Sequence, residues 1–183
     1  MSVKLVLQLV FVQIARLSWG QDCTPPGFPH LKCTVSKNCL DAWLSRLTNN
    51  NLNPSAPTEL TVKSILKDYV YDGRIVSNYP AFSITWKAAD DVGFRYTKGF
   101  KVTILFLNGY RVNENICRFY NMTEAVWNDS DHLNQPKFHF FINNLPPSTD
   151  CWVEVCSLPM PSPDRTQPCV HRIRTTFRGK ASC

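Results

Sequence analysis

The chain has no cysteine pair at C-x-x-C spacing, no G-x-S-x-G or H-E-x-x-H run, and no long apolar stretch beyond its first twenty residues. From Thr58 onward it also has no helical periodicity. Each absence excludes something. The shortest cysteine gaps, Cys33 to Cys39 and Cys151 to Cys156, are too wide for the close pairs of zinc modules, so no metal is expected. Without a nucleophile elbow or a zincin helix, and with His30, His132, His139 and His171 scattered, the sequence offers no catalytic constellation, and no enzyme and no cofactor are expected. Scattered acidic residues leave a secreted hydrolase with paired carboxylates as the enzyme reading that a structure has to test. Twenty basic residues against fourteen acidic ones give a net charge of +6, too little for a nucleic-acid footprint.

The one apolar run, Leu5 to Ala15 behind Lys4, is interrupted by Gln8 and Gln13 and falls short of the roughly 20 residues needed to span a bilayer. With Ser18 and Gly20 placed for cleavage it reads as an export signal over residues 1–20, and the mature chain then starts at Gln21. The remaining chain carries no membrane span, so the expected location is secreted or extracellular. All eight cysteines follow the cleavage point: Cys23, Cys33, Cys39, Cys117, Cys151, Cys156, Cys169 and Cys183. An even count in an oxidising compartment predicts disulfides, though spacing alone leaves 105 pairings open. Asn121-Met-Thr and Asn128-Asp-Ser are glycosylation acceptors, close enough to predict one exposed loop, while proline blocks Asn53-Pro-Ser.

Residues 21–57 are rich in proline, asparagine and cysteine and predict an irregular extension stapled by disulfides, with room for a short helix around Leu40 to Leu47. From Thr58 to Cys183 the period is two. Leu60 and Val62, then Phe82, Ile84 and Trp86, then Phe100, Val102, Ile104 and Phe106 alternate with polar neighbours; so do Phe138, Phe140 and Ile142, Val153 and Val155, and Ile173, Thr175 and Phe177. Such strands, separated by turn residues, predict an all-β antiparallel two-sheet sandwich, with the Trp86 and Phe100 strands at the centres of facing sheets and Trp86 in the core.

Three features suggest recognition. Trp43 follows a turn between Cys33 and Cys39, and a large aromatic there serves either as an interface anchor or as packing on its own domain. The stretch Leu107-Asn-Gly-Tyr-Arg-Val-Asn-Glu-Asn-Ile-Cys117 reads as a hairpin tip that exposes Tyr110, Arg111 and Glu114. Arg172, Arg174, Arg178 and Lys180 form a basic stripe, read as a solvated strand face.

The order and spacing of Leu31-Lys-Cys-Thr-Val-Ser-Lys-Asn-Cys-Leu-Asp-Ala-Trp43, Asn53-Pro-Ser-Ala-Pro57, Phe82-Ser-Ile-Thr-Trp86, Lys98-Gly-Phe100, Ile116-Cys-Arg-Phe119, Leu145-Pro-Pro and the Cys169 to Cys183 stretch resemble the membrane-distal extracellular domain of the interleukin-17 receptor family, over residues 21–183. The resemblance implies a fibronectin type III-like fold and binding of a dimeric interleukin-17 family cytokine, with a second receptor chain joining the complex in inflammatory signalling. It implies a ligand contact at Trp43 with Leu40 and Asp41, and a second at the turn carrying Asn108, Tyr110, Arg111, Asn113 and Glu114. It also implies the disulfides Cys23–Cys33, Cys39–Cys117 and Cys169–Cys183. Cys151 and Cys156 are additions to the family pattern, and a bridge between them requires a bend or bulge, because residues five apart on a strand face opposite sides. The family continues into a second sandwich, a spanning helix and a signalling domain, so the expectation is a fragment of a receptor at the cell-surface membrane or a soluble decoy. The rival reading is a secreted adhesion or structural module of the same fold.

Overall fold

The computed structural model describes residues 21–37, 39, 54–107, 116–143, 150–160 and 169–175. Among the described residues nine strands run in chain order: β1 (Gln21–Asp22), β2 (Thr34–Ser36), β3 (Thr58–Tyr71), β4 (Arg74–Lys87), β5 (Gly99–Phe106), β6 (Ile116–Asn121), β7 (Lys137–Ile142), β8 (Asp150–Leu158) and β9 (Cys169–Thr175). A single turn of 3-10 helix, Val92–Tyr96, precedes β5, and a four-residue helix α1, Asp131–Asn134, precedes β7.

All pairings are antiparallel. Strands β3-β4-β7 form one sheet and β1-β2-β6-β5-β8-β9 the other. The strands expected at the sheet centres are there, since β4 lies between β3 and β7, and β5 between β6 and β8.

Alternation sends one side of each strand inward, and the buried set follows it. Leu60, Val62, Phe82, Ile84, Trp86, Phe138 and Ile142 of one sheet meet Phe100, Val102, Ile104, Tyr120, Cys151, Val153 and Val155 of the other. Trp86 is completely buried and touches three rings: Tyr120 edge-on at 5.0 Å, Phe100 edge-on at 5.9 Å and Phe138 stacked at 5.9 Å. Two of the three sit on the opposite sheet. Phe106, the last of its alternating set, is half-buried and packs on the rim of the core.

Two features depart from the sequence reading. Within 21–57, β1 and β2 extend the larger sheet beyond β6, and Leu31 and Cys33 enter the main core. Short strands framed by prolines carry too little periodicity to be recognised in isolation. The β3–β4 hairpin is also longer than the periodic residues indicated. Fourteen residues on each side meet at Asp72-Gly73, both at positive φ, which is the twist a two-residue hairpin turn requires. Only Phe82 to Lys87 of β4 pair with β7, so Arg74 to Ala81 run on as a two-stranded ribbon. Pro80 lies in that ribbon, where β4 has no second neighbour and a missing N–H is tolerated.

Replacing Trp86 with alanine removes the contact common to both sheets. Urea unfolding of Trp86→Ala is expected to show a loss of about 3 to 5 kcal/mol relative to wild type. A loss below about 1 kcal/mol would mean that the sheets are held elsewhere.

Candidate binding surface

Strand β6 links the core to the N-terminal extension. Its inward Tyr120 packs on Trp86, and the Tyr120 hydroxyl donates 2.8 Å to the carbonyl of His139 on β7, crossing from one sheet to the other. Burial raises the Tyr120 pKa well above its ordinary value, because the phenolate would lose its hydration; nearby Arg118 opposes the shift only in part. On its outer edge β6 receives β2, with Thr34, Val35 and Ser36 opposite Asn121, Tyr120 and Phe119.

Three residues past the end of β2, Cys39 is bonded to Cys117 on β6, with Cα atoms 6.0 Å apart. Cys39 also packs with Met160 against Phe119 and Leu158, a small apolar cluster on the outer face of the larger sheet. The chain that leaves Cys39 is therefore anchored by a ladder, a covalent bond and apolar contact together. Across the same strand, Cys117 pairs with Thr103 and Ile116 with Ile104 on β5. The connection 107–115 joins those two strands, and its first residue, Leu107, donates its N–H 2.9 Å to the Asp150 carbonyl.

Every ligand-contact residue expected from the sequence lies outside the described residues: Leu40, Asp41 and Trp43 on one side, Asn108, Tyr110, Arg111, Asn113 and Glu114 on the other. Their described flanks are Cys39, Leu107 and Ile116. The structure brings these anchors to the same end of the β5–β6 pair, although residue 39 is 78 positions from residue 117.

The disulfides include one correction. Cys23–Cys33 and Cys39–Cys117 close as the resemblance implies, but Cys169 bonds Cys156 and not Cys183. The two are direct cross-strand partners on β8 and β9, with Cα atoms 4.0 Å apart. The pairing of Cys151 and Cys156, left open by the sequence, is decided as well: Cys156 is bonded to Cys169 and so not to Cys151. Strand β8 is continuous from Asp150 to Leu158, so Cys151 points into the core beside Val153 while Cys156 occupies the other face. Register decided this, and spacing along the chain did not contain it.

The titratable residues outside that surface have structural partners in several places. His30 Nε2 sits 2.9 Å from the buried carboxylate of Asp131, whose oxygen also accepts the Asn128 N–H at 2.8 Å; the pair ties the extension to the loop before α1. His139 lies on the solvent side of β7 beside Phe141, and His171 contacts the Trp152 ring. Asp91 caps the 3-10 turn through the Gly93 N–H and accepts the Ser55 hydroxyl, and Glu59 pairs with Lys87 at 2.7 Å. Glu154, Cys156 and Cys169 form the one grouping of metal-type ligands among the described residues, but both cysteines are spent in a disulfide and offer no thiolate. Of the basic stripe, Arg172 is exposed on β9, as a solvated strand face requires; the side chains of Arg174, Arg178 and Lys180 lie outside the described residues. The two sequons do not share a loop. Asn121 is the last residue of β6 and half-buried, whereas Asn128 is exposed in the connection that follows.

A three-stranded β3-β4-β7 sheet packed on a β6-β5-β8-β9 sheet defines an antiparallel sandwich of the fibronectin type III-like kind. The chain belongs to the interleukin-17 receptor A/B N-terminal domain family, whose model matches residues 17–177. That family is one of extracellular cytokine-receptor domains, not of enzymes. No curated protein matches the chain. Among the described residues no helix is long and apolar enough to cross a membrane.

Removing the central crosslink with Cys39→Ser and Cys117→Ser opens the longest of the observed loops and is expected to lower stability by about 4 kcal/mol on the chain-entropy model. The readout is the urea midpoint with unchanged far-UV circular dichroism. The Tyr120 shift predicts a second effect. A phenol whose folded pKa is raised holds its proton in the native state while the unfolded chain releases it, so this contribution is present below the ordinary tyrosine value of 10.0 and is lost as pH rises above it. Tyr120→Phe should flatten the loss of stability measured between neutral pH and pH values above 10, at a cost near neutrality of about 1 kcal/mol for the missing hydrogen bond.

Proposed function

We propose that this domain binds a dimeric interleukin-17 family cytokine through the surface around the Cys39–Cys117 disulfide, and that the bound complex recruits a second receptor chain. The reading is supported most by that one bond, which joins the flanks of two segments far apart in sequence. Trp43 stands four residues beyond Cys39, and Glu114 three before Cys117. At about 3.5 Å per residue of extended chain, Trp43 is within roughly 14 Å of one anchor and Glu114 within roughly 10 Å of the other. With the anchors 6.0 Å apart, both segments fit on one patch. A standard interface, about 800 Å² per partner and so about 30 Å across, spans such a patch.

Physical chemistry assigns the two segments different roles. A tryptophan four residues past a fixed crosslink leaves only a short piece of chain to order on binding, so docking its indole in a partner's pocket would forfeit limited conformational entropy. Tyr110, Arg111 and Glu114 suit the polar surround of such an anchor, where contacts set orientation and association rate more than affinity. Family membership supports the cytokine as the partner. The extracellular setting of the family and the three disulfides agree with an oxidising location.

The decisive measurement is a titration of immobilised domain with interleukin-17 family dimers, comparing wild type, Trp43→Ala and Arg111→Ala. Trp43→Ala should weaken binding by about 30-fold or more, equivalent to about 2 kcal/mol, with unchanged thermal unfolding. Arg111→Ala should act mainly on the association rate and its salt dependence. If wild type captures no member of the cytokine family, the adhesion-module reading replaces this one. If Trp43→Ala binds like wild type, the indole is packing and the patch lies elsewhere.

A further inference from the structure

The residues that face outward at the end of β6 form a row across four strands: Asp22 on β1 opposite Thr34 on β2, Thr34 opposite Asn121 on β6, and Asn121 opposite Gly99 on β5. Paired residues share a face with Cβ atoms about 5 Å apart, so Asn121 has a threonine on one side and no side chain on the other. Gly99 is fixed as glycine, because a Cβ there would collide with the Tyr120 carbonyl oxygen. Beside Asn121 opens a groove of about 370 Å³ whose polar walls include Thr24, Lys32, Thr34, Thr123 and Glu124.

The groove is built in advance. The Asp22 carboxylate accepts the Thr24 N–H at 2.9 Å, which holds its pKa below the ordinary value. The Thr24 hydroxyl accepts the Cys33 N–H at 3.2 Å, and Cys23–Cys33 locks the same turn covalently. Across the groove the Asn121 side-chain oxygen accepts the Thr123 N–H at 3.0 Å, and Met122 between them is fully buried. Asn121 and Thr123 are the first and third residues of the first sequon.

We infer that Asn121 carries an N-linked glycan whose first sugar lies in this groove and fastens the β1–β2 turn to β6. In the linking step the Asn121 amide nitrogen forms a bond to the anomeric carbon of a lipid-pyrophosphate-linked oligosaccharide. The carbon–oxygen bond to the pyrophosphate breaks, the lipid pyrophosphate leaves, and the amide gives up one proton. An amide and ring hydroxyls meeting a wall of threonines, a lysine and a carboxylate exchange water contacts for protein ones, as buried sugar–protein hydrogen bonds do. Asn128 offers a contrast. It is exposed, so a sugar attached there would extend into solvent. The inference rests on the extracellular routing of the family and is independent of cytokine binding.

The test uses the full chain secreted from cells that attach high-mannose glycans. Peptide mapping should find hexosamine on Asn121. Trimming every glycan to its single protein-linked sugar should leave Tm within about 1 °C, whereas Thr123→Ala, which removes the sequon and keeps Asn121, should lower Tm by about 2 to 4 °C. Thr123→Ser, which retains the sequon, should behave as wild type, and Ser130→Ala, which removes the second sequon, should leave Tm unchanged. Unglycosylated wild type and unglycosylated Thr123→Ala should share the lowered Tm. An unmodified Asn121, equal Tm for Thr123→Ala and wild type, or a drop on trimming as large as that of Thr123→Ala would each overturn the inference. Cytokine affinity is read separately on the same samples, so loss of one reading leaves the other standing.

Discussion

The contact between the Trp86 indole and the Tyr120 ring is the constraint from which the rest of the domain is built. It joins the middle of one sheet to β6 of the other, and the Tyr120 hydroxyl adds a hydrogen bond to the β7 backbone from the same side chain. Fixing β6 has consequences on both its edges. β5 pairs on one side and carries Phe100, Val102 and Ile104 into the core, while β2 pairs on the other and brings in the N-terminal extension. A small sandwich gains stability mainly by such burial, and disulfides supplement it where short strands bury little.

The distribution of disulfides follows that logic. Cys23–Cys33 closes a turn that has only two- and three-residue strands to hold it. Cys39–Cys117 fastens the point at which the chain leaves the last of those strands. Cys156–Cys169 clasps β8 to β9 at the end where they begin to pair. His30 with Asp131 does in polar form what the first two bridges do covalently, binding the extension to the body beside α1. The extension is thus part of the sheet, and a segment carried beyond Cys39 starts from a fixed position. Pre-ordering of this kind is what a recognition element needs if its binding energy is not to be consumed in ordering the chain.

How much could be read beforehand depended on whether the relevant physics is local. The strand residues Phe82, Ile84, Trp86, Phe100, Val102 and Ile104 announced themselves because burial on one side imposes a period of two on the sequence itself. β1 and β2 did not, because a strand of two or three residues has no period to detect. The outer part of the β3–β4 ribbon was missed for a different reason: it leaves the core, so its pattern is no longer imposed by burial, and Pro80 argues locally against a strand. Of the candidate site, the residues rest on resemblance alone, while the neighbourhood of their flanks came only from the fold, since residues 39 and 117 share no local signal beyond being cysteines.

The sequence by itself determined the fold class, because alternation is written in neighbouring residues, and it supplied the cysteines and sequons without their spatial partners. Tertiary structure alone decided which cysteines meet, that the extension joins the larger sheet, and that Asn121 faces a groove while Asn128 faces solvent. Those outcomes depend on strand register, and register is fixed only when two sheets close on a common core and a one-residue slip would turn every buried side chain outward.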